Sequence, residues 1–136
     1  MIFLSNMKDW LFIEHEDGSN IRVRRFMDAH KDSGLYPFRI EITWNRNGAF
    51  DEMDMVDKFD ECLSYVLEKE LDALNTSIYQ DDKQFIFTWY TKNIRVFGEL
   101  LNKSLAFFPP LPIQIASTND AEWNDYKLCT QKLAEL

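Results

Sequence analysis

Residues 36–44 (YPFRIEITW) and 85–91 (FIFTWYT) decide the fold that the sequence predicts. In the first segment, apolar side chains alternate with Arg39, Glu41 and Thr43, a period of two that is typical of a strand with one buried face. The second segment is apolar at nearly every position, which favours a strand covered on both faces. We therefore expect both segments to be central strands of one sheet.

Turn chemistry and hydrophobic periodicity on either side of these segments predict the other elements. The turn residues at 17–20 (DGSN) favour a hairpin, and an acidic stretch with apolar residues three and four apart favours a long helix. Asn93 would cap a second helix, which the prolines after it would end. The predicted order is a hairpin at 9–26, a polar loop at 27–35, a strand at 36–44, a helix at 53–74, strands at 76–80 and 85–91, a helix at 94–108, a strand at 113–116 and a helix at 120–135.

This order indicates an α+β protein. From residue 36 onwards it reads strand, helix, strand, strand, helix, strand, the βαββαβ pattern of a ferredoxin-like sandwich. In that topology the first and third strands are central, which is where the two most apolar segments fall. We expect a single domain over 1–136, with a core at 36–117, an N-terminal β-hairpin as an extension and a C-terminal helix.

The charge of the chain bears on its partners. The 136 residues carry a formal net charge of −8, and an acidic surface repels the phosphates of nucleic acids. The sheet aromatics Phe85, Phe87 and Trp89 could stack bases as in RNA-recognition domains, but the basic and aromatic pattern of those domains is missing. The sequence has no apolar run near 18 residues and no basic signal region, so we expect no membrane span and a cytoplasmic protein.

Motifs that would indicate catalysis are missing from the sequence. The four glycines form neither a nucleophile elbow nor a phosphate-binding loop. Zinc sites need cysteines or histidines paired at short spacing, whereas Cys62, Cys129, His15 and His30 are far apart. The sequence therefore predicts no catalytic residue, no metal site and no cofactor, which favours a protein that is not an enzyme and leaves an enzyme as the alternative.

Two sets of side chains remain as binding candidates. His15, Arg39 and Glu41 could line a cleft between the sheet and the N-terminal hairpin and hold a small molecule. The second set could contact another protein; its members are Asp51, Glu52, Asp54, Trp123 and Tyr126. Each set has a purely structural alternative. The acids suit a helix N-terminus, and the two aromatic residues, three apart on one helical face, suit core anchors.

Several short motifs resemble a bacterial family, the domain-of-unknown-function family six-nine-five. They are the Tyr-Pro step at 36–37, the Asn-Gly turn at 47–48, the Trp-Tyr pair at 89–90 and the closing segment 120–126 (DAEWNDY), beside the long acidic helix. Ala121 stands where that family usually has proline. The resemblance implies no established activity. In fold and acidity the chain is more distantly similar to the regulator of ribonuclease activity B family, which implies a small acidic protein that binds and restrains a ribonuclease.

Three hypotheses follow for the function. The first is an acidic, cytoplasmic protein-interaction module that restrains a basic partner such as a nuclease, because complementary charge speeds association. The second is a small-molecule binding domain or enzyme with a cleft between the sheet and the hairpin. The third is a structural domain that self-associates through an edge strand as a homo-oligomer.

Overall fold

The computed structural model describes residues 9–134, which form a six-stranded antiparallel sheet and four helices of an α+β protein. The strands are β1 (Trp10–Glu14), β2 (Asn20–Arg24), β3 (Phe38–Asn45), β4 (Ala73–Gln80), β5 (Gln84–Thr91) and β6 (Ile113–Asn119). The helices are α1 (Asp28–Lys31), α2 (Glu52–Glu68), α3 (Ile94–Leu105) and α4 (Asn124–Ala134).

The sheet has the strand order β1-β2-β4-β5-β3-β6. β3 and β5 are neighbours, paired from Phe38 and Thr91 at one end to Asn45 and Gln84 at the other. Residues 36–44 and 85–91 thus contain interior strands, as predicted, but the middle pair of the sheet is β4 and β5, and β3 lies beside the edge strand β6. The N-terminal hairpin extends the sheet, because β2 pairs with β4.

Helices α2 and α3 cover one face of the sheet. Phe59 of α2 packs edge-on against Trp44 and Phe87, with ring centroids 5.7 and 5.6 Å away. Trp89 meets Phe97 of α3 at 6.0 Å. The aromatic row of β5 is therefore buried in the core, and these rings are not accessible as a platform for stacking bases.

Helix α4 and the segment before it cover part of the opposite face. Trp123 stacks on Tyr90 of β5 with ring centroids 4.2 Å apart, and its Nε1 donates a hydrogen bond to the carbonyl of Tyr36 at 2.9 Å. The hydroxyl of Tyr126 donates to the carbonyl of Arg24 at 2.6 Å. These contacts form a second, smaller core on this face.

The first long helix ends earlier than its apolar stripe predicts. Leu71 has a φ of 58°, in the left-handed region, and its N–H donates to the carbonyl of Glu68 at 3.1 Å. The N–H of Asp72 donates to the carbonyl of Leu67 at 3.0 Å, which completes a Schellman-type end. The predicted boundary at 74 was therefore wrong, and Leu74 belongs to β4 and the second core.

The other boundaries differ by a few residues. The predicted cap holds, since Asn93 accepts a hydrogen bond from the N–H of Val96 at 3.0 Å, but α3 ends at 105 rather than 108. The region predicted as a loop at 27–35 contains the short α1. β6 continues to Asn119, and Asp120 donates its N–H to the carbonyl of Pro37, just before β3. α4 begins only at Asn124, because Trp123 has a left-handed φ of 58°. Within residues 9–134, no helix combines the length and the apolar character that crossing a membrane requires.

Candidate functional site

Four connections between the elements meet at one end of the sheet. The strand pairs bring together the β1–β2 turn, the β3–α2 loop, the β4–β5 turn and the α3–β6 connection. A backbone hydrogen bond of 2.8 Å from Asn45 to the carbonyl of Pro112 joins two of these connections. We name this region the turn end and define it as residues 14–20, 45–54, 80–84 and 106–112.

The turn end is strongly acidic. It contains the carboxylates of Glu14, Glu16, Asp17, Asp51, Glu52, Asp54, Asp81 and Asp82, against the two cations of Arg46 and Lys83. All of these acids except Glu52 and Asp81 are exposed. Carboxylates gathered at one end of a molecule create a negative potential that attracts cationic groups.

Arg46 links the β3–α2 loop to the β4–β5 turn through hydrogen bonds. Its Nε donates to Oε1 of Glu52 at 3.3 Å, and its Nη1 donates to the carbonyl of Asp81 at 2.7 Å. The guanidinium also lies over the ring of Phe85, 4.9 Å from the centroid. The β3–α2 loop and the β4–β5 turn are thus held by one side chain.

Glu52 is a buried carboxylate at the start of α2. Burial on its own would raise the pKa of Glu52, but the backbone N–H of Asn47, Arg46 and the indole of Trp44 together hold that pKa below its ordinary value. Glu52 is therefore ionised and already bound inside the protein. The neighbouring candidates differ, since Asp51 is exposed and Asp54 is exposed in an ion pair with Lys58.

A small cavity of about 120 Å³ opens beside Glu52. We name it the proline pocket; its walls include Trp44, Asp51, Glu52, Met55 and residues 109–112. The three prolines, Leu111 and the indole make these walls largely apolar, and the carboxylate of Asp51 adds a charge at an exposed position. Among residues 9–134, Nε1 of Trp44 has no hydrogen-bond partner of good geometry, although it lies close enough to Glu52 to affect its pKa.

Exposed apolar side chains flank the proline pocket in sequence. Phe50, next to Asp51, is fully exposed, and Phe107, two residues before the proline wall, is 83% exposed. Met53 is also exposed. Large apolar residues beside exposed acids are typical of surfaces that bind other proteins. One signal in the sequence points to this surface, because apolar Phe50, before the helix, and Met53, outside its apolar stripe, lie among acids.

A second, polar cavity of about 540 Å³ lies on the other side of Arg46, between the hairpin turn and the β4–β5 turn. We name it the polar cleft; it is lined by residues 17–19, 79–83 and Arg46. Its carboxylates shape the turns: Asp17 accepts from Ser19 N–H and hydroxyl, and Asp81 accepts from the hydroxyl of Tyr79. A cleft therefore exists at the hairpin, as the small-molecule hypothesis requires.

The three residues predicted to line that cleft are not brought together. His15 is exposed in the β1–β2 turn, whereas Arg39 and Glu41 lie on β3, four strands away from β1 in the sheet. Arg39 and Glu41 form an ion pair at 3.4 Å. Arg39 also approaches Asp120 at 3.4 Å, which places it beside the attachment of α4 rather than in a cavity.

Trp123 and Tyr126, predicted as possible interaction residues, are buried in the second core. They anchor α4 to the sheet, which agrees with the alternative interpretation that the two aromatic residues are core anchors. The carboxylate of Asp120 accepts hydrogen bonds from Tyr90 and from the backbone of α4. The bonds to α4 agree with an acid expected near a helix N-terminus, whereas Tyr90 is distant in sequence, and no local pattern predicts that partner.

Metal-binding clusters and reactive thiols would be the first indications of chemistry at a site. Among the residues described, no cluster of three or more His, Cys, Asp or Glu side chains could hold a metal ion. Cys62 and Cys129 are free thiols. Burial raises the pKa of Cys129 to about 11, so its thiol is protonated and weakly nucleophilic at neutral pH.

The fold and the turn end together define an α+β protein with a six-stranded antiparallel sheet and an acidic, partly apolar end. Comparison with known proteins adds no relative, since no family model, curated protein or solved structure matches the chain. The resemblances to the domain-of-unknown-function family six-nine-five and to the regulator of ribonuclease activity B family remain predictions.

Proposed function

We propose that this protein is a non-enzymatic, cytoplasmic interaction module that binds a basic protein through its turn end. The observation that carries the proposal is that the exposed rings of Phe50 and Phe107 lie at the same end of the sheet as the exposed carboxylates of Asp51 and Asp54. Apolar anchors surrounded by charge match the anatomy of protein interfaces, in which aromatic residues are enriched and a few anchor residues supply most of the affinity.

The acids define the chemistry of the partner. Six of the eight carboxylates at the turn end are exposed, and one of its two cations is already engaged with Glu52, so this surface favours a partner rich in lysine and arginine. A nuclease is a partner of this kind, because its own surface must attract phosphates. Occupying that basic surface would restrain the nuclease, which is the concrete form of the proposal.

We also propose that β3 to β6, with α2 and α3, form a ferredoxin-like βαββαβ sandwich. The order β4-β5-β3-β6, with antiparallel neighbours and both helices on one face, supports this assignment. The N-terminal hairpin would then be an addition at the β4 edge. The assignment itself carries no function, because this sandwich serves many unrelated activities.

A pull-down of the tagged protein from a lysate of its own host tests the proposed function. We expect one basic protein to be retained at about 0.05 M salt and released at about 0.3 M, because salt screens charge attraction. Retention should fall in a Phe50→Ala/Phe107→Ala variant and in an Asp51→Asn/Asp54→Asn variant.

The control is Phe26→Ala, which removes an exposed phenylalanine beyond the far end of β2 and should leave retention unchanged. The expected partner must then bind the purified protein directly, with the same variant pattern. Retention that the turn-end variants do not change, or the absence of any basic protein, would overturn the proposal.

A second candidate function is small-molecule binding in the polar cleft. The observation in its favour is the size of the cavity, about 540 Å³, which is within the range of known ligand sites. Ligand-observed NMR with a library of small polar compounds tests it. A true ligand should lose its signal changes in a Tyr79→Ala variant and keep them in Phe50→Ala, whereas equal binding to both variants would exclude the cleft.

A further inference from the structure

We infer that the proline pocket receives a single arginine side chain from the basic partner. This inference rests on the proposed function and makes it specific, because it names the group that anchors the partner. The pocket, at about 120 Å³, suits one side chain rather than a small-molecule ligand of ordinary size.

The walls of the pocket fit the stem of a long basic side chain. Trp44, Met55 and residues 109–112 present apolar surface, against which the methylene groups of arginine or lysine can pack. The planar guanidinium of arginine also stacks on aromatic rings and is more weakly hydrated than an ammonium group. Fully exposed Phe50 adjoins the pocket residues Ala49 and Asp51 in sequence and offers such a ring.

The charges around the pocket favour a cation at one position. Both oxygens of Glu52 already accept hydrogen bonds, one from Arg46 and the other from the backbone of Asn47. The exposed carboxylate of Asp51 is therefore the group that is placed to bind the incoming guanidinium, and the ionised Glu52 adds to the negative potential. An acidic occupant would be repelled by both carboxylates.

Trp44 provides a built-in reporter of occupancy. Its indole Nε1 is buried beside Glu52 and has no hydrogen-bond partner of good geometry within residues 9–134. The resonance of this N–H is consequently sensitive to a cation that enters the pocket. It is identified among the indole signals as the one that disappears in Trp44→Phe, or by through-bond assignment if that variant does not fold.

The experiment is an NMR titration of the ¹⁵N-labelled full chain with Nα-acetylarginine amide, with the lysine and citrulline analogues as comparisons. We expect a saturable shift of the Trp44 indole signal with the arginine probe and a much weaker one with uncharged citrulline. Asp51→Asn should weaken binding about threefold to fivefold, as for a solvent-exposed ion pair.

Asp82→Asn is the matched control, since it removes the same charge from the turn end but lines the polar cleft instead of the proline pocket. It should leave the affinity within about twofold of wild type. The inference is overturned if the Trp44 signal does not move or if the two variants weaken binding equally. Capture of a basic protein with no shift of Trp44 would reject the pocket alone, whereas a shift without any captured protein would reject the proposed function.

Discussion

At the scale of a single residue, Asp120 joins three parts of the chain. Its carboxylate accepts hydrogen bonds from the hydroxyl of Tyr90 at 2.7 Å, from the N–H of Asn124 at 2.8 Å and from Arg39 at 3.4 Å. Burial would raise the pKa of Asp120, but these donors hold it below its ordinary value. The carboxylate therefore stabilises the fold above its unfolded pKa, and this contribution is lost as the pH falls through the folded pKa.

We predict that Asp120→Asn lowers the free energy of unfolding by about 1–3 kcal/mol at about pH 7, because a buried charge-assisted network loses its acceptor. The difference from wild type should shrink as the pH falls below 3.8, the ordinary pKa of an aspartate. Urea unfolding at about pH 7 and at a pH below 3.8 measures this difference in the free energy of unfolding. Asp125→Asn is the control: burial raises the pKa of Asp125, so removing its charge should not destabilise at about pH 7. If the loss of unfolding free energy in Asp120→Asn did not change with pH, the charge of Asp120 would not be its cause.

Leu71 carries a second residue-scale prediction, because its left-handed backbone is strained in any residue with a Cβ. Leu71→Gly should be more stable than Leu71→Ala by about 1 kcal/mol, since both lose the same exposed side chain and only glycine removes the strain. Thermal unfolding of the pair measures the difference. At exposed Glu61, inside α2, the order should reverse, with glycine about 1 kcal/mol less stable than alanine. If the glycine and alanine variants had the same order of stability at both sites, the backbone of Leu71 would not be strained.

At the scale of elements, the central strands could be predicted because their burial follows directly from hydrophobic periodicity. The end of α2 could not, because Leu71 and Leu74 continue its apolar spacing. A left-handed leucine ends the helix where glycine would have been the usual signal. The start of α4 was misplaced for a related reason, since Asp120 at the sheet looks in sequence like a residue of the helix itself.

Helix α4 depends on Trp123 for its attachment to the sheet. We predict that Trp123→Ala lowers the free energy of unfolding by about 3–5 kcal/mol, because it removes the stack on Tyr90 and the hydrogen bond to Tyr36. Hydrogen exchange should show greater loss of protection in α4 than in β3. Leu128→Ala, at an exposed position of the same helix, should change stability by less than about 0.5 kcal/mol. Equal effects of the two variants would show that Trp123 is not the anchor.

At the scale of the whole molecule, the turn end shows why a site is harder to predict than a strand. Asp51 and Asp54 could be singled out from sequence as acids at a helix start. Their neighbours in the site could not, because residues 109–112 come close to Asp51 only through the pairing of β3 with β6. The hydrophobic pattern of the sequence does not indicate which loops lie at the same end of the sheet.

The net charge of the protein and the exposed edge of its sheet together predict when copies of the chain associate. β6 lies at an edge of the sheet in residues 9–134, and its seven residues carry no charge that would oppose pairing with another strand. We expect the net charge of −8 to keep copies apart at about pH 7.5, and association to grow as the pH approaches the isoelectric point near 4.7.

Light scattering across this pH range measures the mass. Ala116→Lys, which adds a charge in the middle of β6, should delay the association, and Ala121→Lys, outside the strand, serves as the control for the added charge. A mass of one chain at the isoelectric point would contradict the prediction. A dimer at about pH 7.5 that Ala116→Lys dissociates would instead favour self-association as the role of this domain.

Arg46 makes the two cavities of the turn end interdependent. The same guanidinium neutralises Glu52 at the proline pocket and borders the polar cleft. A ligand in the cleft that drew Arg46 away would leave Glu52 uncompensated, and the pocket would then hold a cation more tightly. Linkage would make this coupling reciprocal, so a cation in the pocket would strengthen the ligand in the cleft by the same factor. Any cooperativity between the two cavities would therefore pass through one side chain.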